Sequence, residues 1–345
     1  MLSDSKYLYF IMACLPLCIS FYSALHSKAE NVKRCLFVKS PSDSFIIRWG
    51  FQDICDHVFD PYTKKHVWST TDKPGGVTFD PFVVKPGDIV FVRNMKRFFA
   101  TMHPYIKHPY CIVTHGERRD TCSGSDLKFL ADKKIIAWFS IHPCKFGHKK
   151  FFPLPLGIKQ EKRFFIEKAL MNSFFSKLRT EKPKNKLLYL NFEDKKNPER
   201  KALRAFFSAE PYCTIRSTPL SFENYLEEMA EHKFALSPRG WGPDCYRTWE
   251  ALYVGTIPIV RRGQAGELRF NRRSKGGSQL DRLYEDLPIL VIDEWEEITE
   301  EFLHKKYDEI LSKNYATEKL FLEYWYDVIK KVQSDFREKG IYPQG

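Results

Sequence analysis

Residues 234–260, FALSPRGWGPDCYRTWEALYVGTIPIV, contain the pattern that decides the predicted fold. The pattern predicts a short apolar strand, a tight loop, a helix that ends at Gly255, and a second apolar strand. Strand, helix and strand in this order are the unit of a parallel α/β sheet. We therefore expect a ligand site beyond the carboxyl end of the first strand, where the loop enters the helix. The four elements are predicted at 234–236, 237–243, 244–254 and 257–260.

The loop before this helix has the composition of an anion-binding site. Gly240 and Gly242 allow positive φ angles and the close approach of a ligand to the backbone. Pro243 can open the helix, and Asp244 suits its first turn. The N-terminus of a helix offers free N–H groups and a partial positive charge, and Arg239 adds a guanidinium. The loop therefore predicts an anionic ligand.

Arg247 and Glu250 lie three residues apart in the predicted helix, so their side chains share one face. The planar guanidinium of an arginine near a helix N-terminus can bind a phosphate through two hydrogen bonds. A glutamate one turn later can accept hydrogen bonds from a vicinal diol such as a ribose. A phosphate binder beside a diol binder indicates a nucleotide ligand. The alternative is a surface ion pair between the two residues, which is common and weak.

The same stretch resembles the donor-site motif of exostosin-like glycosyltransferases, which are GT-B enzymes that take a sugar from a nucleotide sugar. The resemblance implies that Arg239 and Arg247 face the diphosphate and that Glu250 faces the donor ribose. It also implies inverting transfer to a glycan or other hydroxyl acceptor, with a UDP-sugar as the expected donor. The matching elements are Ser237-Pro238-Arg239-Gly240, Arg247, Glu250-Ala251-Leu252 and Gly255-Thr256-Ile257-Pro258.

The donor site is expected to work without a metal or another cofactor. No DxD pair occurs in the chain, and such a pair normally holds the metal at the donor diphosphate in GT-A enzymes. Arginines and helix amides would take the role of the cation. By its position after a predicted strand, Asn191 is expected to line the donor cleft, and Asn197 is a candidate N-cap for the helix that follows. The expected donor-binding residues are Ser237, Arg239, Gly240, Arg247, Glu250 and Asn191.

The loop at 114–120 is the candidate for the catalytic base. It follows the predicted strand at 111–114 directly, and it contains several titratable side chains. Inverting glycosyl transfer needs one base to take the proton of the acceptor hydroxyl. His115, Glu117 and Asp120 are the candidates, of which at most one serves as the base. The alternative is a polar surface loop without a catalytic role.

Two runs of alternating strands and helices predict an α/β fold of two Rossmann-like domains that face a cleft, the GT-B type, preceded by an N-terminal hydrophobic signal or anchor helix. Short apolar runs predict strands at 35–38, 89–92, 111–114 and 135–139, and at 187–190, 234–236, 257–260 and 287–292. The predicted boundaries are 1–30 for the signal peptide or anchor, 31–160 for the acceptor domain, 161–186 for a crossing helix and hinge, 187–314 for the nucleotide-sugar domain, and 315–345 for a C-terminal helix and tail.

The N-terminal segment at 7–27 contains no Asp, Glu, Lys or Arg. About 20 apolar residues can span a bilayer. The segment predicts a single-pass membrane anchor, or a signal peptide that is cleaved after Ala29 so that the chain is exported. A buried core helix is the alternative. The chain contains no N-x-S/T glycosylation sequon, which leaves a bacterial exported or membrane protein open.

The cysteines and histidines predict no defined metal site. The chain has nine cysteines without a CxxC pair, so zinc spacing is absent. One or two disulfides are possible, for example with Cys111, Cys122 or Cys144, but the sequence does not determine the pairing. His142, Cys144 and His148 would be a weak set of metal ligands in a loop.

The net charge of +12 indicates an acidic partner. We expect a nucleotide sugar, a glycan or glycolipid acceptor that can be acidic, and a membrane contacted through the N-terminal segment. The basic segment at 261–280 is a candidate for a loop that closes over the cleft. Nucleic-acid binding is not expected, because the positive charge is spread along the chain. The alternative function is that of a membrane-tethered pseudoenzyme that binds a nucleotide or carbohydrate without turnover.

Overall fold

The computed structural model describes the chain in segments. The described residues are 45–61, 79–116, 127–141, 148–159, 168–262 and 279–343. They belong to one compact unit, Val38–Gly345. The predicted signal or anchor helix and the predicted strand at 35–38 lie outside the described residues. Among the helices that are described, none is long and apolar enough to cross a membrane.

The first sheet has five parallel strands that follow one another in sequence order, β1-β2-β3-β4-β5. The three central strands are buried at every position, as their apolar runs predict. The predicted strand at 89–92 has the predicted bounds, and the next two each differ by one residue. The strands are β1 (His57–Phe59), β2 (Ile89–Val92), β3 (Tyr110–Thr114), β4 (Ile135–Ser140) and β5 (Phe151–Pro153).

The second sheet also has five parallel strands, but in the order β10-β9-β8-β6-β7. The chain passes from β6 to the edge strand β7 and then returns to the other side of β6, where β8 pairs with it. The sequence did not predict the short strands β1, β5 and β7. The strands are β6 (Lys186–Asn191), β7 (Cys213–Arg216), β8 (His232–Leu236), β9 (Ile257–Arg261) and β10 (Leu290–Ile292).

The described helices connect the strands and cover the sheets. They are α1 (Arg48–Asp53), α2 (Met95–Thr101), α3 (Leu127–Leu130), α4 (Lys168–Glu181), α5 (Pro198–Phe206), α6 (Phe222–Ala230), α7 (Tyr246–Tyr253), α8 (Gln279–Tyr284), α9 (Glu300–Leu311) and α10 (Leu322–Lys339). A 3₁₀ turn, Thr317–Leu320, precedes α10. The observed elements confirm an α/β fold with two parallel sheets.

Two helices begin at polar side chains that cap them, and Asn197 has the role predicted for it. Asn197 Oδ1 accepts a hydrogen bond from the Glu199 amide at 3.0 Å, and the Ser221 hydroxyl accepts one from the Asn224 amide at 3.2 Å. Gly255 ends α7 with a φ of 72°. These short-range contacts depend on residues within one turn, which is why the sequence predicts them.

Helix α7 begins two residues later than predicted. The prediction put its start at 244, whereas the structure has Cys245 as the N-cap in an extended conformation. The carboxylate of Asp244 accepts hydrogen bonds from distant parts of the chain, and it therefore does not belong to the first helical turn. The difference results from tertiary contacts that no local signal reveals.

The C-terminal helix α10 returns to the first sheet. The Gln333 amide donates to Asp56 Oδ2 at 3.0 Å and to the Gly87 carbonyl at 2.8 Å. Arg337 Nη2 donates to Asp88 Oδ1 at 2.7 Å. These partners precede β1 and β2, so the second half of α10 lies at the amino ends of the strands. The helix continues to Lys339.

One hydrophobic cluster extends from the first sheet to the second. It includes Phe91 and Phe139 from the first sheet and Tyr189 and Val260 from the second. A separate cluster covers the opposite face of the first sheet, where Trp138 is buried. Burial of this shared apolar surface stabilises the two sheets as one unit.

Cys111 is a free, buried thiol in β3. Burial raises the pKa of this thiol to about 12. Cys111, one of the three cysteines named as possible disulfide partners, forms no disulfide in this structure. Cys122 and Cys144, the other two candidates, lie outside the described residues.

His232 gives a testable dependence of stability on pH. The imidazole is buried at the start of β8, and Nδ1 donates to the Glu228 carbonyl at 2.8 Å. Burial lowers the pKa of His232 to about 4. Between pH 6.5 and 4 the unfolded state therefore binds the extra proton, and acidification across this window should cost the folded state roughly 3 kcal/mol.

The measurement is urea unfolding of wild type and His232→Leu from pH 8 to pH 4. The variant shares every other titrating group, so the difference between the two proteins isolates His232. We expect wild type to lose stability relative to the variant as the pH falls from 6.5 to 4. A constant difference in the free energy of unfolding over this range would contradict the assignment of a low pKa.

Candidate functional site

The second sheet contains a topological switch point between β6 and β8. The chain leaves β6 toward one edge of the sheet and leaves β8 toward the other, so the loops after these neighbouring strands diverge. Parallel α/β sheets bind ligands at such points, beyond the carboxyl ends of the strands. The described strands of the first sheet follow sequence order and have no switch point. The topology therefore favours the second sheet, where β6 ends at Asn191 and the loop at 237–245 follows β8.

Arg200 fixes the backbone of the loop after β8. Its side chain is 5% exposed. Nε donates to the Arg239 carbonyl at 2.9 Å, and Nη2 donates to the Pro238 carbonyl at 3.0 Å. Nη1 donates to the Glu193 carbonyl at 3.3 Å. Arg200 thus holds two adjacent carbonyls of the loop in place.

The space around Gly240 is tight, and its φ angle is not positive. An added Cβ would lie 3.2 Å from Arg200 Nη2, so a side chain at this position would press on the arginine that holds the loop. Neither Gly240 nor Gly242 has a positive φ. The expectation that these two glycines supply a left-handed conformation is therefore wrong, although the side chain of Arg200 does approach Gly240 closely.

Ser237 faces the protein interior. Its hydroxyl lies 2.9 Å from the Thr248 hydroxyl, and the residue is 1% exposed. Its amide donates to the Ile259 carbonyl at 2.9 Å, which continues the pairing of β8 with β9. Ser237 thus joins the loop to α7 and β9.

Arg239 and Arg247 leave hydrogen-bonding capacity at the switch point. Arg247 Nε donates to the Asn191 carbonyl at 2.9 Å, but its two Nη atoms make no hydrogen bond to any described residue. Arg239 Nε is buried without a hydrogen-bond partner in the described part of the chain. A buried donor without a partner costs free energy, and an anionic ligand would satisfy it.

The ring of Phe192 concentrates positive charge at the same place. The guanidinium carbons of Arg200, Arg204 and Arg247 lie 5.5, 5.3 and 5.4 Å from its centre. Arg204 is neutralised by Asp194 at 3.0 Å. Burial, and then the charge of Arg247, lower the pKa of Arg200. The cluster therefore has more positive than negative charge.

The N-terminus of α7 adds backbone donors to this cluster. Its N-cap, Cys245, makes no side-chain capping bond, because the thiol donates to the Pro238 carbonyl at 3.3 Å. The first amides of a helix have no partner within the helix. Together with Arg239 and Arg247 they form an arrangement that can bind a phosphate group.

Asn191 contributes its backbone to the cluster. The carbonyl orients Arg247, whereas the side-chain Nδ2 donates to the Tyr189 hydroxyl at 2.9 Å. Asn191 is only partly buried at the end of β6. Its side chain is thus engaged by a neighbour, and its role in lining a donor cleft stays a prediction.

Glu250 is buried beneath the cluster at 3% exposure. Oε1 accepts a hydrogen bond from the Lys159 amide at 3.0 Å, and Oε2 accepts one from the Tyr225 hydroxyl at 2.9 Å. Burial raises the pKa of this carboxyl. The structure contains no ion pair between Glu250 and Arg247, so the alternative of a surface pair between them is wrong.

Asp244 joins the loop to two distant segments. Its carboxylate accepts from the Leu156 amide at 2.8 Å, the Tyr284 hydroxyl at 2.8 Å, the Trp249 indole at 2.8 Å and the Cys245 amide at 2.9 Å. Burial raises the pKa of Asp244 to about 6, so the group is ionised at neutral pH. The sequence predicts only a local role for Asp244 in the first helical turn, because these partners lie up to 88 residues away.

With this geometry established, comparison with known proteins identifies the family. Residues 166–338 match the family described as the RXYLT1 C-terminal domain, which is half of the chain. The chain belongs to this family. The RXYLT1 C-terminal domain region contains the whole second sheet, the switch point, Arg239, Arg247 and nearly all of α10.

Ribitol-5-phosphate xylosyltransferase 1 of Homo sapiens is one relative. It is 27% identical over 194 residues, which are 52% of this chain and 41% of the relative. The chain therefore aligns with less than half of that protein's length. The comparisons agree with the sequence at the level of a glycosyltransferase family, but they do not single out the exostosin-like enzymes that the motif resembles.

His115 lies outside the RXYLT1 C-terminal domain region, directly after β3 as predicted. Its Nε2 donates to the Pro155 carbonyl at 2.9 Å, and its ring packs 4.7 Å from the Phe51 ring. The residue is 1% exposed. Glu117 and Asp120, the other candidate bases, lie outside the described residues, and so does 263–278 of the predicted basic loop.

The described residues contain no group of three histidine, cysteine or acidic side chains that could hold a metal ion. Of the weak candidate set, His142 and Cys144 lie outside the described residues. His148 is described, and its Nδ1 accepts a hydrogen bond from the Lys150 amide at 3.2 Å.

Proposed function

We propose that the chain is a glycosyltransferase that takes its sugar from a nucleoside diphosphate sugar. The observation that carries the proposal is the unsatisfied hydrogen-bonding capacity of Arg239 and Arg247 at the switch point of the second sheet. The xylosyltransferase relative supports the same class. The motif at 237–258 supports an exostosin-like, GT-B type site, with inverting and metal-independent transfer.

The proposed donor diphosphate occupies the space between the two arginines and the N-terminus of α7. Cleavage of the bond between the sugar and the phosphate develops negative charge on the leaving diphosphate. Two fixed guanidinium groups and oriented amides stabilise that charge in the transition state. Arg200 and Gly240 contribute by holding the loop, so that little reorganisation is needed when the donor binds.

Glu250 is proposed to bind the donor ribose. Each of its carboxylate oxygens already accepts one protein hydrogen bond and can accept another. A ribose contact requires the buried carboxylate to become accessible, through movement of Tyr225 or of the chain at Lys159. A role limited to holding Tyr225 and Lys159 in place would make Glu250 a positioning residue.

The acceptor is proposed by analogy with the human relative, and the base is proposed from the position of the loop after β3. The name of the human relative suggests UDP-xylose as the first donor to test and a ribitol phosphate as the first acceptor. One of His115, Glu117 and Asp120 is proposed to take the acceptor proton. In this structure Nε2 of His115 already donates its proton to Pro155, so the base role would need the other nitrogen or a rearranged loop.

The test is calorimetric binding of UDP, GDP and CDP to the full chain. Arg239→Ala and Arg247→Ala should each weaken binding of the preferred nucleotide roughly 10- to 100-fold, which corresponds to about 1.5–3 kcal/mol for a hydrogen bond to a charged group. Arg204→Gln is the matched control, because Arg204 contacts the same ring but is already paired with Asp194. Absence of nucleotide binding by folded wild type would overturn the proposal.

Two further variants separate the roles of Glu250 in the same assay. If the carboxylate contacts the ribose, Glu250→Gln weakens binding of the nucleotide, whereas Tyr225→Phe leaves it within about twofold of wild type. If Glu250 only positions its neighbours, Tyr225→Phe reproduces the effect of Glu250→Gln. Melting temperatures of both variants establish that the proteins are folded.

A further inference from the structure

Two turns at one edge of the first sheet present large apolar side chains to solvent. They are the 3₁₀ turns Pro81–Val83 and His103–Tyr105. Phe82, Val83 and Tyr105 are 65%, 52% and 56% exposed. The rings of Phe82 and Tyr105 lie next to each other, with centres 6.1 Å apart. These three residues form the apolar patch, and an exposed cluster of large apolar side chains indicates an interaction surface.

The backbone beneath the apolar patch is fixed. Val84 and Ile106, which directly follow the two turns, are buried in the core of the first sheet. The Gly87 amide donates to the Pro109 carbonyl at 2.8 Å and joins the two segments of chain. The outward orientation of the exposed side chains therefore results from the packing of their neighbours. A partner would meet a preformed surface, which lowers the entropic cost of binding.

Positive charges flank the apolar patch. Lys85 and Lys107 each follow one of its turns by two positions, and both side chains are exposed. Neither lysine makes an ion pair with a described residue. The segments 81–86 and 103–108 contain no Asp or Glu. Asp80 immediately precedes the first segment and caps its turn, so two lysines face one carboxylate and the surface around the patch is positive.

The apolar patch lies at the amino ends of the strands of the first sheet. The turn Pro81–Val83 precedes β2, and the turn His103–Tyr105 precedes β3. Parallel α/β sheets bind their ligands at the opposite edge, beyond the carboxyl ends of the strands. A partner on the patch would therefore leave His115, which follows β3, uncovered. The patch also contains no residue of the proposed donor site.

We infer that the apolar patch inserts into the surface of an anionic lipid bilayer. Aromatic side chains favour the boundary between headgroups and acyl chains, where Phe82, Val83 and Tyr105 would lie. Lys85 and Lys107 would then contact the anionic headgroups around them. This surface contact is separate from the membrane segment predicted at 7–27, and it does not depend on the proposed glycosyl transfer.

The distribution of charge favours a bilayer over a second copy of this chain. In a symmetric contact the same patch occupies both sides, so Lys85 and Lys107 would face the same lysines of the other copy. Like charges that meet across an interface oppose association. An anionic bilayer instead offers negative charge around an apolar interior, which matches the arrangement of the lysines around the apolar patch.

The test reads insertion at the patch itself. The full chain with Phe82→Trp is mixed with vesicles of phosphatidylcholine and phosphatidylserine that contain brominated lipid, and the tryptophan emission of wild type is subtracted. Phe206→Trp is the matched control, because Phe206 is an exposed aromatic residue on α5. The emission added at one position reports its own depth, whether or not the segment 7–27 also enters the bilayer.

We expect brominated lipid to quench roughly half or more of the emission that Phe82→Trp adds, because interfacial side chains lie about 5–10 Å into the boundary region. The emission that Phe206→Trp adds should be unchanged. Tyr105→Trp repeats the measurement from the second turn, and melting temperatures establish that each variant is folded.

A second arm tests the role of charge with the same local signal. Lys85→Gln and Lys107→Gln are combined with Phe82→Trp, and Lys305→Gln with Lys313→Gln is the control pair of exposed lysines. Below saturation, the ratio of quenched to unquenched emission should fall at least roughly tenfold in the first combination, because each lysine contributes about fivefold near an anionic surface. The control pair should resemble Phe82→Trp alone. Vesicles of phosphatidylcholine only should give the same fall as loss of the two patch lysines.

Three results would overturn the inference. The first is quenching of Phe82→Trp and Tyr105→Trp that does not exceed that of Phe206→Trp. The second is equal quenching with and without phosphatidylserine, which would remove the role of charge. The third is a dimer of wild type in sedimentation equilibrium that Phe82→Ser with Tyr105→Ser converts to a monomer, because the apolar patch would then be an interface between two copies of this chain.

Discussion

Replacement of Gly157 by alanine is expected to destabilise the protein by more than roughly 3 kcal/mol, a loss typical of a strained and overpacked site. Gly157 has a φ of 75°, where a Cβ is unfavourable. An added Cβ would overlap the carbonyl oxygen of Ile46 and lie 2.6 Å from Ile46 Cγ2. The Ile46 carbonyl cannot move away freely, because it accepts a hydrogen bond from the Ile158 amide at 3.1 Å.

Gly340→Ala is the matched control for this prediction. Gly340 has a φ of 65°, and an added Cβ would have no atom within 4 Å. The free energy of unfolding of this control should therefore fall only by the conformational cost of the positive φ, about 1 kcal/mol. Urea unfolding with linear extrapolation measures both variants. A similar decrease in the free energy of unfolding of the two variants would show that the close approach of Gly157 to Ile46 does not determine stability.

Asp244→Asn is expected to lower the free energy of unfolding by roughly 3–5 kcal/mol, because it breaks the hydrogen-bond network of a buried charged group. The carboxylate accepts hydrogen bonds from two backbone amides, an indole and a phenol, so all four of its partners are donors. An asparagine replaces one oxygen by an NH₂ group, which then faces another donor. At least one buried N–H or O–H loses its acceptor.

Asp293→Asn is the control for the substitution itself. Asp293 pairs with Arg262 at 2.8 Å on the surface, so its replacement should change stability by less than about 1 kcal/mol. Asp244→Asn should also weaken UDP binding, because Asp244 precedes the N-cap of α7. The free energy of unfolding and the UDP affinity are measured for both variants. If Asp244→Asn lowers the free energy of unfolding as little as Asp293→Asn does, Asp244 does not link the segments.

The sequence predicted the central strands well because each is buried on both faces. A run such as 89–92 then consists of apolar residues only, and the strand Ile89–Val92 has those bounds. Strand β7 was not predicted, because it lies at an edge of the sheet and its residues are only partly buried or exposed. A short edge strand lacks the apolar run that reveals a central strand.

The candidate site was predicted less completely than the fold. The motif identified Arg239 and Arg247, which both lie at the switch point. The roles of Arg200 and Tyr225 were not predicted, because their partners Arg239 and Glu250 lie 39 and 25 residues away. No pattern of local spacing reveals such contacts. The apolar patch likewise combines side chains from two separate turns of the chain.

The sequence by itself determined the elements with a local cause. These are the buried strands, the caps at Asn197 and Ser221, and the glycine that ends α7 at Gly255, since each depends on residues within a few positions. Only the tertiary structure decided strand order, the switch point and the burial of Asp244 and Glu250. These features depend on which distant segments pack together, and that choice is made by the summed burial of apolar surface and by buried hydrogen bonds across the whole chain.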